Sequence, residues 1–185
     1  LWAVPHDPEG LFSLLGGREA SIAKLDRMLA LEPSYEAEAY PHEIHEMAEM
    51  AAVDFGQYAH SNQPAHHVLY LYAAAGAPER TREEVRRVMR ELNGFCGDVD
   101  NGEMSCWYLL TALGIFPLGP ASGDYFWGVP HFPEMRLEIP GRKPLLVRNQ
   151  VSGSAVARIL IDDQPASSLK IAHLQFIAAQ EITFQ

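Results

Sequence analysis

Gly97-Asp98-Val99-Asp100-Asn101-Gly102-Glu103-Met104-Ser105-Cys106-Trp107-Tyr108 is the stretch on which the reading of this chain turns. Two acids, Asp98 and Asp100, lie in a turn bounded by glycines. An apolar run at helical spacing follows at once: Met104, Trp107, Tyr108, Leu110 and Leu113. Asn101 is placed to cap this helix, with Gly102 in its first turn and Gly114 as its stop. The two carboxylates then sit at the positive end of a helix dipole, which favours their charged form. An ionised carboxylate on an exposed turn is what a general base requires. The same two residues would also serve simply to cap the helix.

Working outward from that turn, the chain of 185 residues is long enough for one ordinary domain with a sizeable core. It is 48% hydrophobic and 21% charged, with no apolar run near the ~18 residues of a membrane span, so a globular protein without a membrane partner is expected. A net charge of −10 argues against nucleic acid, which needs clustered Lys and Arg, and suits a neutral substrate such as a sugar. Cys96 and Cys106 are too few for a disulfide framework and leave the compartment open. The opening, Leu1-Trp2-Ala3-Val4-Pro5-His6-Asp7, lacks Met and reads as the interior of a longer protein.

Upstream of the acid turn the spacing predicts helices. Asp7-Pro8 reads as an N-cap followed by Pro at the first helical position. Residues 18–31 carry Ile22, Leu25 and Leu29 at helical intervals. Tyr40-Pro41-His42-Glu43-Ile44-His45-Glu46-Met47 comes close to the zinc-protease pattern His-Glu-x-x-His and misses it by one position. His42, His45 and Glu46 could still be mixed ligands on one face, or only a polar helix start. Asn62 and Pro64 open a helix expected to continue to Gly76, and Gln63, His66 and His67 gather at its start without a helical reason. Thr81, with Glu84 three residues on, predicts a capping box for a helix whose Arg82, Arg86, Arg87 and Arg90 make a solvated basic face. Downstream of Pro117, alternating segments separated by Pro140-Gly141, Ser152-Gly153 and Asp162-Asp163-Gln164-Pro165 predict an antiparallel module of four to six strands. The order is α+β, helices first and then strands.

Four blocks resemble glycoside hydrolase family 92, the calcium-dependent inverting exo-α-mannosidases. They are Trp2-Ala3-Val4-Pro5-His6-Asp7, His42-Glu43, the His60–His67 block with Asn62-Gln63-Pro64-Ala65-His66-His67, and Gly97–Tyr108. Ser61 stands where the family has Gly, and Glu103 where it more often has Gln. The resemblance implies that residues 1–118 are part of an (α/α)6-barrel catalytic region and 119–185 a C-terminal β module. It implies hydrolysis of terminal, α-1,2-linked mannose with inversion, Asp98 and Asp100 supplying the general base. Calcium is implied as cofactor, with Glu46 and Asp98 as ligands. Trp2, His42, Glu43, Asn62, Gln63, His66 and His67 are the implied contacts to α-mannose-containing glycans. The general acid of the family precedes the Trp2 block, so here it falls before Leu1. These 185 residues alone are then expected to be inactive, and the rest of the parent chain to pack against them. Secretion or a periplasmic location is implied as well. A mannose-binding fragment without catalysis and a different (α/α)6-barrel enzyme are the competing readings.

Overall fold

The computed structural model describes residues 1–36, 41–92, 97–152 and 156–185. Cys96, Tyr40 and the Gly153 of the expected Ser152-Gly153 turn lie outside them. The helical part comes first: α1 (Pro8–Leu14), α2 (Arg18–Ala30), α3 (His45–Ala52), α4 (Leu71–Ala74), α5 (Pro78–Glu91) and α6 (Glu103–Ala112). As the Asp7-Pro8 pair predicts, the Asp7 carboxylate accepts the Gly10 N–H at 2.9 Å and starts α1.

The helices meet in a core that includes Phe12, Leu25, Phe55, Leu69, Tyr72, Val88 and Trp107, each at most 1% exposed. Burying side chains of this size favours the folded state by roughly 1.5–3 kcal/mol apiece, which is what holds these helices together. Two expectations fail here for related reasons. The segment from Asn62 to Gly76 is not one helix but two 3-10 turns, Gln63–Ala65 and Val68–Tyr70, leading into the single turn of α4. Helix α5 begins at Pro78, three residues before Thr81, and Thr81 does not cap it. Its hydroxyl turns inward, donating to the Leu69 carbonyl at 2.7 Å and accepting the Ala73 N–H at 3.0 Å. Tertiary contact with the preceding turns has taken the group that local pattern assigned to the cap.

Arg82 is likewise not on a solvated face. It is 4% exposed and its Nε donates to the Gly128 carbonyl at 3.0 Å, joining α5 to the strands. Burial lowers its pKa from the ordinary guanidinium value, which makes this buried cation dependent on its acceptor.

Among the described residues, eight strands follow in two sheets. β1 (Ile115–Phe116), β2 (Asp124–Trp127) and β7 (Lys170–Ala172) form an antiparallel three-stranded sheet in the order β1-β2-β7. β3 (Glu134–Leu137), β4 (Leu145–Asn149), β5 (Ile159–Ile161), β6 (Gln164–Pro165) and β8 (Glu181–Phe184) form the second, in the order β3-β4-β8-β5-β6. A short helix, α7 (His173–Ala178), precedes β8. The module is not wholly antiparallel: β8 inserts between β4 and β5 and runs parallel to β4, pairing Val147 with Ile182. Alternation of apolar residues fixes which face of a strand is buried, but not its neighbour or direction. Leu145, Val147, Ile182 and Phe184, all fully buried, supply the centre of this second core.

Candidate functional site

The acid turn is built by its backbone. Asp100, Asn101 and Gly102 follow one another with φ of 42°, 56° and 93°, all left-handed. Asp, Asn and Gly are the residues that adopt this region at least cost, so the chemistry of the sequence and the shape of the turn agree. One consequence is that Asn101 cannot cap the helix. α6 starts two residues later, at Glu103, with Gly102 in the capping position and no side-chain cap. The Asp100 carbonyl accepts the Glu103 N–H at 3.1 Å. Gly114, with φ 80°, ends the helix region as expected.

Three contacts tie this turn to distant segments. The Gln63 amide donates to the Asp98 carbonyl at 2.5 Å, across 35 residues of sequence. Gly97 lies so close to Ser61 that a Cβ on it would stand 2.8 Å from the Ser61 Cβ and carbonyl oxygen. His45, at the first position of α3, faces three carboxylates. Its Nε2 is 3.5 Å from Glu46 Oε1 and 3.6 Å from Asp98 Oδ2, and its Nδ1 is 3.3 Å from Glu49 Oε1. Glu46 and Asp98 therefore converge on one ring nitrogen, although they are far apart in sequence. The Asp98 side chain remains 85% exposed, open to a water or a substrate. Asp100 is exposed on the same turn.

A second cluster lies under the start of α6. His66, 1% exposed, places Nδ1 2.8 Å from Glu103 Oε2 and donates from Nε2 to the His60 carbonyl at 2.8 Å. The His60 ring stacks on His66 at 4.5 Å and meets the edge of Trp107 at 4.2 Å. Burial, with the neighbouring His66 second, holds the His60 pKa down at about 2, so this ring is neutral. His67 donates from Nε2 to the Trp2 carbonyl at 2.7 Å and so fastens the first segment to the site. A cleft of about 320 Å³ is lined by the polar Gln63, His66, His67 and Glu103 and by apolar residues that include Ala3 and Pro5.

The sequence-predicted residues are thus partly assembled. Asp98, Glu46 and Gln63 meet at the turn, and Gln63, His66 and His67 share the cleft. Trp2 joins through its backbone, while its ring packs on the helical core and lines a separate hollow with Lys24, Arg27 and Met28. Asn62 stands half-buried before the first 3-10 turn without a side-chain cap bond. His42 and Glu43 are exposed, and Glu43 is hydrogen-bonded to the Tyr35 hydroxyl rather than to this cluster. Sequence reasoning missed His60 and Glu49 as parts of the site. Glu49 had a readable signal, since it lies one helical turn after His45.

The carboxylate oxygens of Glu46 and Asp98 suit a hard cation such as calcium better than zinc. Among the described residues no group of three or more His, Cys, Asp and Glu is placed to hold a metal ion; Glu46 and Asp98 are a pair of oxygen donors beside His45.

Comparison with known proteins points one way. The glycosyl hydrolase family 92 catalytic domain matches residues 1–185. A family GH92 inverting mannosidase of Bacteroides thetaiotaomicron is 36% identical with a TM-score of 0.78, over 100% of this chain and 26% of its own. A family GH92 α-mannosidase of the same organism, solved in complex with mannoimidazole, shares the fold at 21% identity and a TM-score of 0.73, over 91% of this chain and 22% of its own. An uncharacterized secreted glycosidase of Arthroderma benhamiae is 28% identical over 152 residues, 79% of this chain and 16% of its own length. The chain spans about a quarter or less of the length of these relatives.

Proposed function

Because the chain belongs to glycosyl hydrolase family 92, we propose that it is part of the catalytic domain of an α-mannosidase that cleaves terminal, α-1,2-linked mannose with inversion. In this reading residues 1–118 belong to an (α/α)6 barrel and 119–185 are its β appendage, and the parent enzyme is secreted or periplasmic. The observation that carries the reading is the convergence of Asp98 and Glu46 on His45, with the Asp98 carboxylate left open to solvent.

Inversion needs a carboxylate that takes a proton from water on one face of the sugar, opposite a carboxylic acid that protonates the leaving oxygen, the two roughly 6.5–9.5 Å apart. Asp98 and Asp100 supply the first. The second is assigned to the parent outside these residues. The Asp98 main chain is fixed by the Gln63 amide and by the close approach of Gly97 to Ser61, while its exposed carboxylate faces His45. Glu46 and Asp98 would hold calcium, which when bound supplies a dication for the sugar hydroxyls. Gln63, His66 and His67 line the cleft, and Asn62, Trp2, His42 and Glu43 complete the proposed contacts to the glycan.

Asp98→Asn and Asp100→Asn in the full-length enzyme test the assignment. The base variant should lose kcat by several powers of ten with KM little changed, since the proton transfer belongs to the transition state. If neither substitution lowers kcat by more than about tenfold, the base lies elsewhere.

A further inference from the structure

Both ring nitrogens of His66 face acceptors. Nε2 points at the His60 carbonyl, 2.8 Å away, and a carbonyl can only accept, so Nε2 carries a hydrogen. Nδ1 lies 3.0 Å and 2.8 Å from the two oxygens of Glu103. A bare nitrogen facing an ionised carboxylate would set two lone pairs against each other inside a site where the imidazole is 2% exposed. A second hydrogen between Nδ1 and the carboxylate removes that conflict, whichever atom it is nearer. The other groups packed around the ring leave room for it. His60, stacked on His66, is neutral, with Tyr58 O–H 2.9 Å from its Nδ1, and the uncharged Trp107 ring lies tilted against His66 with centroids 5.4 Å apart. Only Glu103 brings charge against His66 from these neighbours.

We propose that His66 and Glu103 share a proton at pH 7, and that through it Glu103 is a positioning residue of the cleft, held as a charge-balanced hydrogen-bond acceptor for sugar hydroxyls. Glu103 is suited to this: it opens α6, its side chain is 39% exposed, and it lines the cleft beside Gln63 and His67. A carboxylate tethered by a buried imidazole keeps one orientation and can accept a charge-assisted bond from a hydroxyl, stronger than one to an amide. The role in sugar binding rests on the mannosidase reading above, whereas the shared proton does not.

Two measurements on the full-length enzyme separate these. Neutron diffraction at pH 7 should show hydrogen on His66 Nε2 and a second one between Nδ1 and Glu103; an empty Nδ1 side overturns the proposal. Glu103→Gln keeps the shape but can donate to Nδ1, leaving a neutral ring. It should raise KM for an α-mannoside about tenfold with kcat within about twofold, the loss of one charge-assisted bond. An unchanged KM, or a fall in kcat alone, overturns the positioning role. If E103Q does not fold, the wild-type neutron map still decides the proton. An enzyme that cleaves no α-mannoside yet shows that proton refutes the functional reading and keeps the pair.

Discussion

Replacing Gly97 by Ala tests whether close packing against Ser61, rather than flexibility, sets the position of the acid turn. Two costs arise. Gly97 has φ of 73°, where an L-residue is disfavoured by about 1–2 kcal/mol. The new Cβ would also stand 2.8 Å from the Ser61 Cβ and carbonyl oxygen, an overlap of the kind that costs about 1–3 kcal/mol. Backbone atoms form part of that contact, so a side-chain rotation cannot relieve it. The turn must move, carrying Asp98 with it and stretching the bond from Gln63. Displacing a reacting group by about 1 Å can cost ~100-fold in rate, so G97A should lower kcat by one to two powers of ten with a smaller effect on KM. Gly102→Ala is the control. Its φ is 93°, but nothing lies within 4 Å of the added Cβ, so it should carry the torsional cost alone, about 1–2 kcal/mol. The assay is kcat and KM on an α-mannoside with thermal unfolding of the same full-length variants. If G97A and G102A lose kcat equally, or G97A keeps kcat within about twofold, the Ser61 contact does not position the acid.

Removing divalent ions with a chelator should abolish activity, and calcium should restore it better than zinc, because Glu46 and Asp98 offer oxygen rather than nitrogen or sulfur. Rescue by zinc alone would return the balance to His42 and His45 as ligands. The neutral, buried His60 makes stability pH-dependent with a definite sign. Its folded pKa is depressed to about 2, below the unfolded value near 6.5, so the unfolded chain takes up the proton first as pH falls. Its contribution is complete above about pH 6.5 and is lost as pH drops towards 2, amounting to about 2 kcal/mol between pH 7 and 5. Urea unfolding at the two pH values, with and without His60→Gln, measures it; a variant with the same acid sensitivity as the wild type would rule His60 out as the cause.

Local chemistry was legible wherever a residue acts through its neighbours in the chain. Asp7-Pro8 starts a helix because the cap and its partner are three residues apart, and the glycine-bounded turn that carries Asp98 and Asp100 was readable, although its left-handed backbone at Asp100, Asn101 and Gly102 moved the helix start past the expected Asn101 cap. The succession of helices then strands was equally readable, as was the family, since both depend on the order of residues. Decisions that join distant segments were not. Thr81 left its expected cap for the Leu69 carbonyl, Arg82 left the solvated face for Gly128, and β8 took a place beside β4 in parallel. Each was settled by a partner that periodicity cannot name. The site shows the same division: sequence supplied Asp98, Glu46, Gln63 and His66 as candidates. Only the tertiary fold set Glu46 and Asp98 around His45 and put Glu103 on a buried imidazole, because a carboxylate's role depends on which charges and hydrogens lie within about 4 Å of it.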